Sequence, residues 1–509
     1  MAITLGLVEA VDDNGVYVSM PGSRGVLRGP YRCLDDVAVG SAALVLQTDG
    51  GENVVAGAAG YPGRTGVHHV RDYGAVGDGA TDDTAAIQAA FSAAEGSVVL
   101  MSPGTYRVTS GVQLAEATTL YGYGATLTCA KGSGTGILKM ADGVRIYGLT
   151  VENTHATGGS WGISTESSSD LTIADCTIRG TWLVGVTIDY GSSVRVTGNV
   201  FDTVGRADGS STPGTACAML GTKDVIVSGN TFTECKQDAV YVATSTDVTV
   251  TGNTIRDQPE GVQVRVSCAN VTVSNNTFVI KGSSVVSSFG IIVQTQSVNT
   301  TIVGNVFSTT SGTGTPSAAV RVDDRSHRTV ISGNTFTGLY SYGVHVGTSG
   351  AGGTESLGTV VTDNQFYDPP SRAIIVGAGE NRCLISNNHV EGGDDRAIQV
   401  SADRCTITGN SVSANVGFHG FTIAGDFNTV TGNSANDVVN GAGFLISGTD
   451  NAVTGNVATG NQTYGIEESG DRNVIVGNNC GTNDSGTADI LWPGGTDTVI
   501  ANNIGRVSP

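Results

Sequence analysis

One short motif recurs through most of the chain and limits the folds that it can adopt. Residues 194–201 read VRVTGNVF, residues 225–232 read VIVSGNTF, and residues 271–278 read VTVSNNTF. The asparagines that return in this frame are Asn199, Asn230, Asn253, Asn276, Asn305, Asn334, Asn364, Asn388, Asn410, Asn433, Asn456, Asn478 and Asn503. Successive asparagines lie 22 to 31 residues apart. A repeat of this length predicts a solenoid of stacked strand-turn-strand units.

The residues around each asparagine explain the repeat in physical terms. The preceding residue is Gly, Asn or Asp in every case, and these residues tolerate a left-handed backbone, so a sharp bend is predicted there. The amide after the bend can donate to one neighbouring asparagine and accept from the other. Leu149 and Cys176 take the asparagine position in two earlier, degenerate rungs. The pattern predicts an all-β fold, a right-handed parallel β-helix of about fifteen rungs over residues 144–509.

The position two residues after each asparagine is predicted to point into the core. It is occupied in turn by Phe201, Phe232, Ile255, Phe278, Phe307, Phe336, Phe366, Val390, Val412, Ala435, Ala458 and Cys480. The core is therefore predicted to narrow towards the C-terminus. Cys383 and Cys405 share another frame position in adjacent rungs, where either a disulfide or two stacked buried thiols would fit.

Composition agrees with this fold and narrows the function. Glycine accounts for 74 of 509 residues and charged residues for only 14%, which is too few for long surface helices. The net charge of −20 and the pI near 4.6 argue against binding nucleic acid or inserting into an anionic membrane. In a simpler interpretation, the acidity only keeps a long β surface soluble. The sequence contains no run of about 18 apolar residues, so no membrane-spanning helix is predicted.

The cysteines and the chain start favour a reducing compartment. Nine scattered cysteines, an odd number, do not resemble a disulfide framework. The start MAITLGLVEAVDDNG has neither a basic leader nor an apolar core of the kind found in secretion signals. We therefore expect synthesis in the cytosol, and release by cell lysis would be equally consistent.

The first 63 residues differ from the repeats. Short alternating runs separated by turn signals such as Asp13-Asn14-Gly15 predict four or five strands in a small closed barrel. Residues 39–57, VGSAALVLQTDGGENVVAG, resemble the strand-turn-strand of OB-like barrels in phage tail and baseplate proteins. That resemblance implies a domain for attachment to the virion. Tyr61-Pro62-Gly63 predicts a linker.

Residues 64–143 are predicted to hold the rest of the linker, a capping helix and the first strands of the β-helix. Asp82 or Asp83 is the expected N-cap, and Ile87, Ala90, Phe91 and Ala94 follow at helical spacing. One amphipathic helix before a stack of strands can cover the open first rung. The residues from this helix to 122–127, GYGATL, resemble the corresponding segment of the pectate-lyase-like superfamily, which includes many phage tailspikes and tail-bound depolymerases.

A second strand in each rung supplies the candidate binding surface. Alternation sends every second side chain outward. One outward column is Tyr241, Gln263, Ile292, Arg321, His345, Ile375 and Gln399, and its neighbour is Ala243, Arg265, Gln294, Asp323, Gly347, Gly377 and Ser401. Inserts near residues 281–289, 309–316 and 347–356 are expected to wall a groove there. We predict glycan contact by the polar members, which are Tyr241, Gln263, Arg265, Gln294, Arg321 and His345.

Asp238 and Glu260 are the first candidates for catalysis. They take equivalent positions in consecutive rungs, so their carboxylates are expected about 5 Å apart, as in a retaining glycosidase. Crowding of like charge would raise one pKa and separate an acid from a base. Asp323 and Asp324, beside Arg321 and Arg325, form a second acidic-basic cluster, and Asp323 is a third catalytic candidate. The alternative is that these carboxylates are solvated or turn-capping groups.

Other residues are weaker candidates. His68-His69 is a possible metal site in the linker, whereas Asp394-Asp395-Arg396 is expected to be an exposed ion pair. Trp161 and Trp182 are either sugar-stacking platforms or packing residues. The calcium-and-arginine arrangement of true pectate lyases and the polygalacturonase signature are both missing. No metal or cofactor is expected.

The resemblances imply a phage tail protein, either a tailspike or a receptor-binding fibre, that recognises a cell-surface polysaccharide of the host and in one interpretation depolymerises it. They also imply docking of residues 1–63 to other tail or baseplate proteins, assembly as a homotrimer, and location in the virion. A free bacterial polysaccharide lyase or glycoside hydrolase is the second hypothesis. A purely structural virion rod is the third.

Overall fold

The structure is a computed structural model. It describes five strands within residues 2–58, and residues 66–508 except for short stretches. These stretches are 133–135, 156–159, 181, 206–213, 283–287, 311–313, 324, 339, 348–355, 370, 416, 485–487 and 493–495. The predicted linker at Tyr61-Pro62-Gly63 and the cluster member Asp324 lie outside the described residues. The chain divides into two compact units, of which the first comprises residues 1–127 and 138–150 and the second comprises residues 128–137 and 151–509.

The first unit begins with a small barrel. Its strands are Ala2–Asp12, Gly15–Ser19, Leu27–Cys33, Ala42–Gln47 and Asn53–Ala58. Backbone pairing joins the first strand to the second and the fourth, and the remaining pairs close the circle. The five strands and their closure agree with the expectation for residues 1–63. The likeness to OB-like barrels stays a prediction.

The first unit also contains the predicted helix, Thr84–Ala93, which begins after Asp83. The Asp83 carboxylate accepts hydrogen bonds from the backbone N–H groups of Val76 and Gly77, at 2.7 and 3.1 Å. Asp82 accepts from the backbone N–H of Thr84 at 3.1 Å. Asp83 is therefore the N-cap residue, but its side chain fixes the preceding turn and makes no capping hydrogen bond, whereas Asp82 binds the first N–H of the helix. The four apolar residues predicted at helical spacing are fully buried.

The remaining segments of the first unit are short. They are the strand Val67–His69, the 3-10 turn Val70–Tyr73, and the strands Asp78–Asp82, Val98–Leu100, Gly104–Arg107, Val112–Gln113, Thr119–Tyr121, Leu138–Met140 and Arg145–Tyr147. The strands Ala125–Cys129 and Thr150–Asn153 complete the set before the regular repeats. All pairings among these segments are parallel. Among the described residues, no helix is long and apolar enough to cross a membrane.

The second unit consists of three parallel sheets, to which successive rungs contribute one strand each, except that sheet 2 ends at Val457–Thr459, before the last rungs of the other two sheets. Sheet 1, which precedes the asparagines, comprises Ser169–Ala174, Ser192–Thr197, Lys223–Ser228, Thr246–Thr251, Ala269–Ser274, Val298–Val303, Val330–Ser332, Val360–Thr362, Leu384–Ser386, Thr406–Thr408, Thr429–Thr431, Ala452–Thr454, Val474–Val476 and Val499–Ala501. Sheet 2, which follows them, comprises Thr177–Gly180, Val200–Asp202, Thr231–Thr233, Thr254–Gln258, Thr277–Lys281, Val306–Thr310, Thr335–Thr337, Gln365–Tyr367, His389–Glu391, Ser411–Ser413, Ser434–Asn436 and Val457–Thr459.

Sheet 3 is the second strand of each predicted unit. It comprises Trp161–Glu166, Val184–Asp189, Thr215–Leu220, Asp238–Ala243, Glu260–Arg265, Phe289–Val293, Ala318–Val322, Tyr342–Val346, Arg372–Val376, Ile398–Val400, Phe421–Ile423, Phe444–Ile446, Ile466–Glu468, Ile490–Leu491 and Val507–Ser508. In all three sheets each strand pairs with the equivalent strand of the next rung. The predicted right-handed parallel β-helix is confirmed.

The asparagine ladder is present as predicted. The amide nitrogen of Asn276 donates to Oδ1 of Asn305 at 3.0 Å, and the backbone N–H of Asn276 donates to the same oxygen at 2.9 Å. A second amide hydrogen bond reaches the carbonyl of Val250 at 3.0 Å. The same three contacts recur from Asn199 to Asn478. Because the side chains are buried, each asparagine joins consecutive rungs through bonds that water does not replace.

The predicted core positions are buried, and their aromatic rings form stacks. The ring centroids of Phe278 and Phe307 lie 4.8 Å apart, and those of Phe336 and Phe366 lie 4.5 Å apart. Towards the C-terminus this column becomes smaller, as predicted. Sheet 3 fills the space instead, because Phe421 and Phe444 stack inside it at 4.6 Å.

A second buried ladder runs along the turn before sheet 1. In the earlier rungs it consists of small groups such as Thr222 and Ser245, whose hydroxyls lie 3.0 Å apart. Further on, Cys405, Asn428 and Asn451 each donate their backbone N–H to the next asparagine, at 2.7 to 2.8 Å. Cys383 and Cys405 are both free and buried, which agrees with stacked thiols. This ladder was not predicted.

Candidate functional site

The outer face of sheet 3 brings the predicted outward residues into register. Tyr241 pairs with Gln263, Gln263 with Ile292, and Ile292 with Arg321. Arg321 then pairs with His345. A third outward column, three residues before the first, runs through Thr215, Asp238, Glu260, Phe289, Ala318, Tyr342 and Arg372. Polar and aromatic side chains from several rungs therefore share one surface.

Asp238 and Glu260 are direct register partners in adjacent strands of this surface. Their carboxyl groups hydrogen-bond to one another. The Thr215 hydroxyl donates to Oδ2 of Asp238 at 3.1 Å, and Nε2 of Gln263 donates to Oε2 of Glu260 at 2.6 Å. The two residues are 1% and 5% exposed. Such a pair retains a proton at pH values where isolated carboxyls are ionised.

The surroundings of the two carboxyls affect their pKa values to different degrees. Burial raises the pKa of Asp238 well above its ordinary value, and the neighbouring Glu260 raises it further. Burial also raises the pKa of Glu260, but hydrogen bonds from Asp238, Gln237 and Gln263 and the charge of Arg265 oppose that rise. We assign the shared proton to Asp238 because its carboxyl is the more deeply buried. Glu260 is then the carboxylate of the pair.

A second polar group lies further along the same face. Nε of Arg321 approaches Oδ2 of Asp323 at 2.7 Å, and its guanidinium lies 5.7 Å from the centre of the Phe289 ring. The rings of Tyr342 and His345 are 4.9 Å apart. Burial and the nearby charges of Arg321 and Arg372 lower the pKa of His345 to about 4. His345 is therefore neutral at ordinary pH.

Several side chains that point outward on this face are nevertheless buried. Gln263, Ile292 and His345 are only 6%, 4% and 6% exposed. The reason is that side chains of neighbouring outward columns pack against one another, as Tyr342 does against the cluster that contains Phe289. Tyr241, Arg265, Gln294 and Arg321 are half-buried and reach the surface. The inserts expected to form groove walls lie partly outside the described residues.

Several residues of this face were missed by sequence reasoning. Tyr342 and Arg372, which continue the column of the carboxyl pair, were not predicted, whereas Trp161, which was, begins the first strand of sheet 3 in the second unit. Glu166 and Asp189 are a second pair of register partners. Burial, followed by the charge of Glu166, raises the pKa of Asp189 against a hydrogen bond from Thr187. The alternating pattern of residues 161–166 and 184–189 was the available signal.

The weaker candidates have structural roles. The His69 ring accepts at Nδ1 from the backbone N–H of Arg71 at 3.2 Å, so in the neutral ring Nε2 carries the proton and donates to Ser102. That tautomer cannot activate the serine as a nucleophile. His68 contacts the Tyr73 hydroxyl at 2.6 Å.

The other two candidates also pack against neighbouring groups. Trp182 is fully buried, and its indole N–H donates to the Arg179 carbonyl at 2.8 Å, so it is a packing residue. Asp395 joins Arg372 and Arg396 at 3.1 and 3.5 Å. The expected ion pair is therefore present, and it is half-buried.

Parts of the chain match the models of two protein families. Residues 67–263 match the model of the rhamnogalacturonase A/epimerase, pectate lyase-like family. Residues 203–367 and 315–457 match the model of the periplasmic copper-binding protein NosD. Among the described residues, no group of three or more His, Cys, Asp and Glu side chains could hold a metal ion. Burial also raises the pKa of Cys235 to about 12, which keeps that thiol protonated. The described residues therefore do not fit a copper site.

Individual relatives act on polysaccharides according to their names. The chain is 36% identical over 115 residues to mannuronan C5-epimerase AlgE3 of Azotobacter vinelandii, which is 22% of this chain and 6% of that protein. It is 34% identical over 116 residues to alginate lyase 7 of the same organism, which is 22% of this chain and 12% of that protein. The matched segment thus spans a small part of these relatives.

A solved structure has the same fold. It is a double mutant of the tailspike protein of E. coli bacteriophage HK620 in complex with a pentasaccharide. The identity is 14%, the TM-score is 0.51, and the alignment covers 76% of this chain and 75% of that one. Together with the family match and the three parallel sheets, this likeness places the protein by fold. The chain has the right-handed parallel β-helix fold, and its residues 67–263 are similar to the pectate lyase-like family.

Proposed function

We propose that this protein binds a cell-surface polysaccharide along the outer face of sheet 3 and hydrolyses it at Asp238 and Glu260. The observation that carries the proposal is the pair of buried carboxyl groups, Asp238 and Glu260, at register-paired positions on a surface of polar and aromatic side chains. Buried pairs whose pKa values are pushed apart are suited to acid-base chemistry. The names of the matched epimerase and lyase and of the tailspike complex support a carbohydrate ligand.

The roles follow from the electrostatics. Asp238 holds the proton and would donate it to the glycosidic oxygen as the general acid. Glu260 would attack the anomeric carbon as the nucleophile while the leaving sugar takes the proton of Asp238, and Asp238 would then take a proton from the water that releases the sugar from Glu260. The strand spacing of about 4.8 Å would let the two side chains separate to the distance found in retaining enzymes once a sugar lies between them. A sugar bound between them would replace their mutual hydrogen bond. Arg265 and Gln263 would hold Glu260 in place. Asp323 would contribute to substrate binding by orienting the guanidinium of Arg321.

The wider surface would position the polysaccharide. Tyr241 offers an aromatic face beside the pair, and aromatic rings suit sugar faces because they present apolar area with a polar edge. Arg321 with Asp323 offers a guanidinium held in a fixed direction, and Gln294 and His345 add neutral hydrogen-bonding groups. We assign these residues to substrate binding.

We further propose that the protein is a tailspike or receptor-binding component of a phage tail. In this proposal residues 1–63 dock to other tail or baseplate proteins, three copies assemble, and the protein is made in the host cytoplasm and acts at the host surface. The closed five-stranded barrel and the solved tailspike of the same fold support it. Electron microscopy of virions labelled with an antibody to this chain tests the location.

A lyase is the second candidate, because two of the curated relatives named above act on uronate polymers by their names. In that chemistry Glu260 would remove a proton from the sugar, and the product would be an unsaturated uronide. Incubation with a panel of bacterial capsular polysaccharides separates the hypotheses. New reducing ends without the absorbance of an unsaturated uronide indicate hydrolysis, and both signals together indicate a lyase. Binding without either product indicates an adhesin, and the absence of binding leaves a structural rod.

A further inference from the structure

The rungs that follow His345 carry a second group of polar side chains on the outer face of sheet 3. Ile375 pairs with Gln399, and Gln399 pairs with Thr422. The residues on either side of Gln399 and Thr422 are buried core residues, so these two side chains point outward. The apolar Ile375 separates them from His345 in the same column. This group, which we name the distal cluster, comprises Arg372, Arg396, Gln399, His419 and Thr422.

Two guanidinium groups of the distal cluster share one carboxylate. Arg372 pairs with Tyr342 in register, and Arg396 takes the equivalent position in the next rung. Nη2 of Arg372 lies 3.1 Å from Oδ2 of Asp395, and Nη1 of Arg396 lies 3.5 Å from Oδ1 of the same carboxylate. The adjacent Asp394 is exposed, so water screens its charge. Two arginines against one carboxylate therefore leave a positive charge on this face of an acidic chain.

Three buried polar atoms of the distal cluster have no hydrogen-bond partner among the described residues. They are Nε of Arg372, Oε1 of Gln399 and Oγ1 of Thr422. Thr422 is only 6% exposed, although it points outward. Native proteins pair nearly all buried polar atoms with protein groups, water or a ligand. Three unpaired atoms in three consecutive rungs of one face therefore indicate polar groups that are supplied from outside the chain.

Aromatic rings lie beside the two arginines. The guanidinium of Arg372 lies 5.9 Å from the centre of the Tyr342 ring, and that of Arg396 lies 5.7 Å from the centre of the Phe418 ring. Phe418 is half-exposed, and an exposed ring can pack against the apolar face of a sugar. A guanidinium beside such a ring presents a planar fork of donors to an anion. The combination suits a sugar that carries a negative charge.

His419 adds a neutral donor to the distal cluster. It takes the position after Arg396 in the same column. Its Nδ1 accepts the backbone N–H of Ala442 at 3.1 Å, so in the neutral ring Nε2 carries the proton. Burial, followed by the charge of Arg396, lowers the pKa of His419. The ring is therefore an uncharged donor at neutral pH, which suits a sugar hydroxyl.

We infer that the distal cluster binds a sugar unit that carries a negatively charged group. Arg372 and Arg396 would hold the anionic group, and Phe418 would contact the apolar face of the ring. Gln399, His419 and Thr422 would bond to the sugar hydroxyls. The cluster begins four rungs beyond Glu260 and ends six rungs beyond it, which corresponds to about 19–29 Å at a strand spacing of about 4.8 Å.

The inference rests on one part of the proposed function, namely that the outer face of sheet 3 binds saccharides. It does not depend on cleavage at the carboxyl pair. The cluster would select acidic polysaccharides and would fix which sugar of the chain lies at Asp238 and Glu260.

Binding of the full chain to an array of bacterial glycans tests the inference. The array contains neutral glycans and glycans made acidic by carboxylate or phosphate groups. Binding is measured with the wild type and with Glu260→Gln, which leaves the distal cluster intact. Both proteins are expected to bind acidic glycans. Chemical reduction of the carboxyl groups of a bound carboxylated glycan is expected to lower the affinity about 10-fold or more.

A matched pair of double variants locates the binding. Arg372→Gln with Arg396→Gln is expected to weaken binding of acidic glycans about 100-fold. The control, Arg382→Gln with Arg404→Gln, removes the same charge from exposed arginines at the corner before sheet 1 and is expected to bind as the wild type does. Circular dichroism and thermal unfolding show whether both double variants are folded.

Thr422→Val separates a binding role from a structural one. The hydroxyl has no partner among the described residues, so its removal is expected to leave the melting temperature unchanged or higher. The affinity for acidic glycans is expected to fall about 10-fold. A lower melting temperature with unchanged affinity would show that the hydroxyl serves the fold.

Three other results overturn the inference. They are binding of neutral glycans alone, undiminished binding by the folded Arg372→Gln with Arg396→Gln variant, and no binding to any glycan of the array. Cleavage is measured separately. Acid-selective binding without cleavage would contradict only the carboxyl pair, whereas cleavage without acid selectivity would contradict only the distal cluster.

Discussion

Asp238 and Glu260 stand opposite each other in neighbouring strands of sheet 3, and their carboxyl groups share a hydrogen bond. Parallel strands in register place identical positions about 4.8 Å apart, so two acidic residues at one position must interact. Burial prevents water from screening that interaction. Proton sharing is therefore a direct result of the repeat.

Replacing either member of the pair is expected to abolish most cleavage. Asp238→Asn removes the general acid and Glu260→Gln removes the nucleophile, and each is expected to lower the rate by about 10²–10⁴-fold. Release of reducing ends from a cleaved polysaccharide measures the effect. Asp189→Asn, a carboxyl of the same sheet, is the matched control and should stay near the wild-type rate. Full activity in both variants of the pair would disprove the proposed site.

The stability of the protein is expected to depend on pH through Asp238. Its folded pKa is raised above the ordinary value of 3.8. A raised folded pKa means that the contribution to the free energy of unfolding is fully present below about 3.8 and is lost as the pH rises through the folded pKa. Asp238→Asn removes this loss, so its melting temperature relative to wild type should be higher at pH 8 than at pH 4. A constant difference across this range would contradict the buried pair, and Asp202→Asn, which changes a half-buried carboxyl of sheet 2, is the control.

Breaking the ladder in its middle is expected to cost far more than breaking it at its end. Asn305→Ala leaves the amide and the backbone N–H of Asn276 without their shared acceptor. Each unsatisfied buried group costs about 1–3 kcal/mol, so we expect a loss of about 2–5 kcal/mol in the free energy of unfolding. Asn503→Ala removes the same shared acceptor from Asn478, but Asn503 is half-exposed at the last rung, so water can replace its oxygen and the loss should be about 1 kcal/mol. Urea denaturation measures both, and equal losses would refute the cooperative ladder.

The stacked rings are expected to respond as a packed core. Phe307 is fully buried between two other rings, and Phe307→Ala should lower the free energy of unfolding by about 3–5 kcal/mol. Phe418 is 54% exposed, and Phe418→Ala should change it by no more than about 0.5 kcal/mol. Chemical denaturation of the two variants makes the comparison. A loss at Phe307 as small as that at Phe418 would show that this column is not a packed core.

Much of the scaffold was predictable because its determinants are local and periodic. The residue before each ladder asparagine sets the bend, and the residue two positions later sets the core. The second ladder was missed although Asn428, Asn451 and Asn473 are spaced by 23 and 22 residues. Its earlier members, such as Ser245 and Cys268, are chemically different, so no single residue type marks the column.

The candidate site was less predictable, for two physical reasons. The alternating pattern of a strand predicts which side of the sheet a residue faces. The burial of Gln263 and His345, however, depends on side chains in neighbouring columns, which the sequence of one strand does not predict. Glu166 and Asp189 were not predicted as a pair because the early rungs lack the asparagine that fixes the register. Once Trp161 pairs with Val184, both carboxylates align.

The spacing of the asparagines has an evolutionary consequence. The longer rungs take their additional residues between sheets 2 and 3 or between sheets 3 and 1, whereas the bend that leads into each asparagine keeps its length. The ladder bonds remain at 2.9 to 3.0 Å whether the rung is short or long. Whole loops could therefore be exchanged at those two corners, and the ligand of the surface changed, without any change to the hydrogen-bonded scaffold.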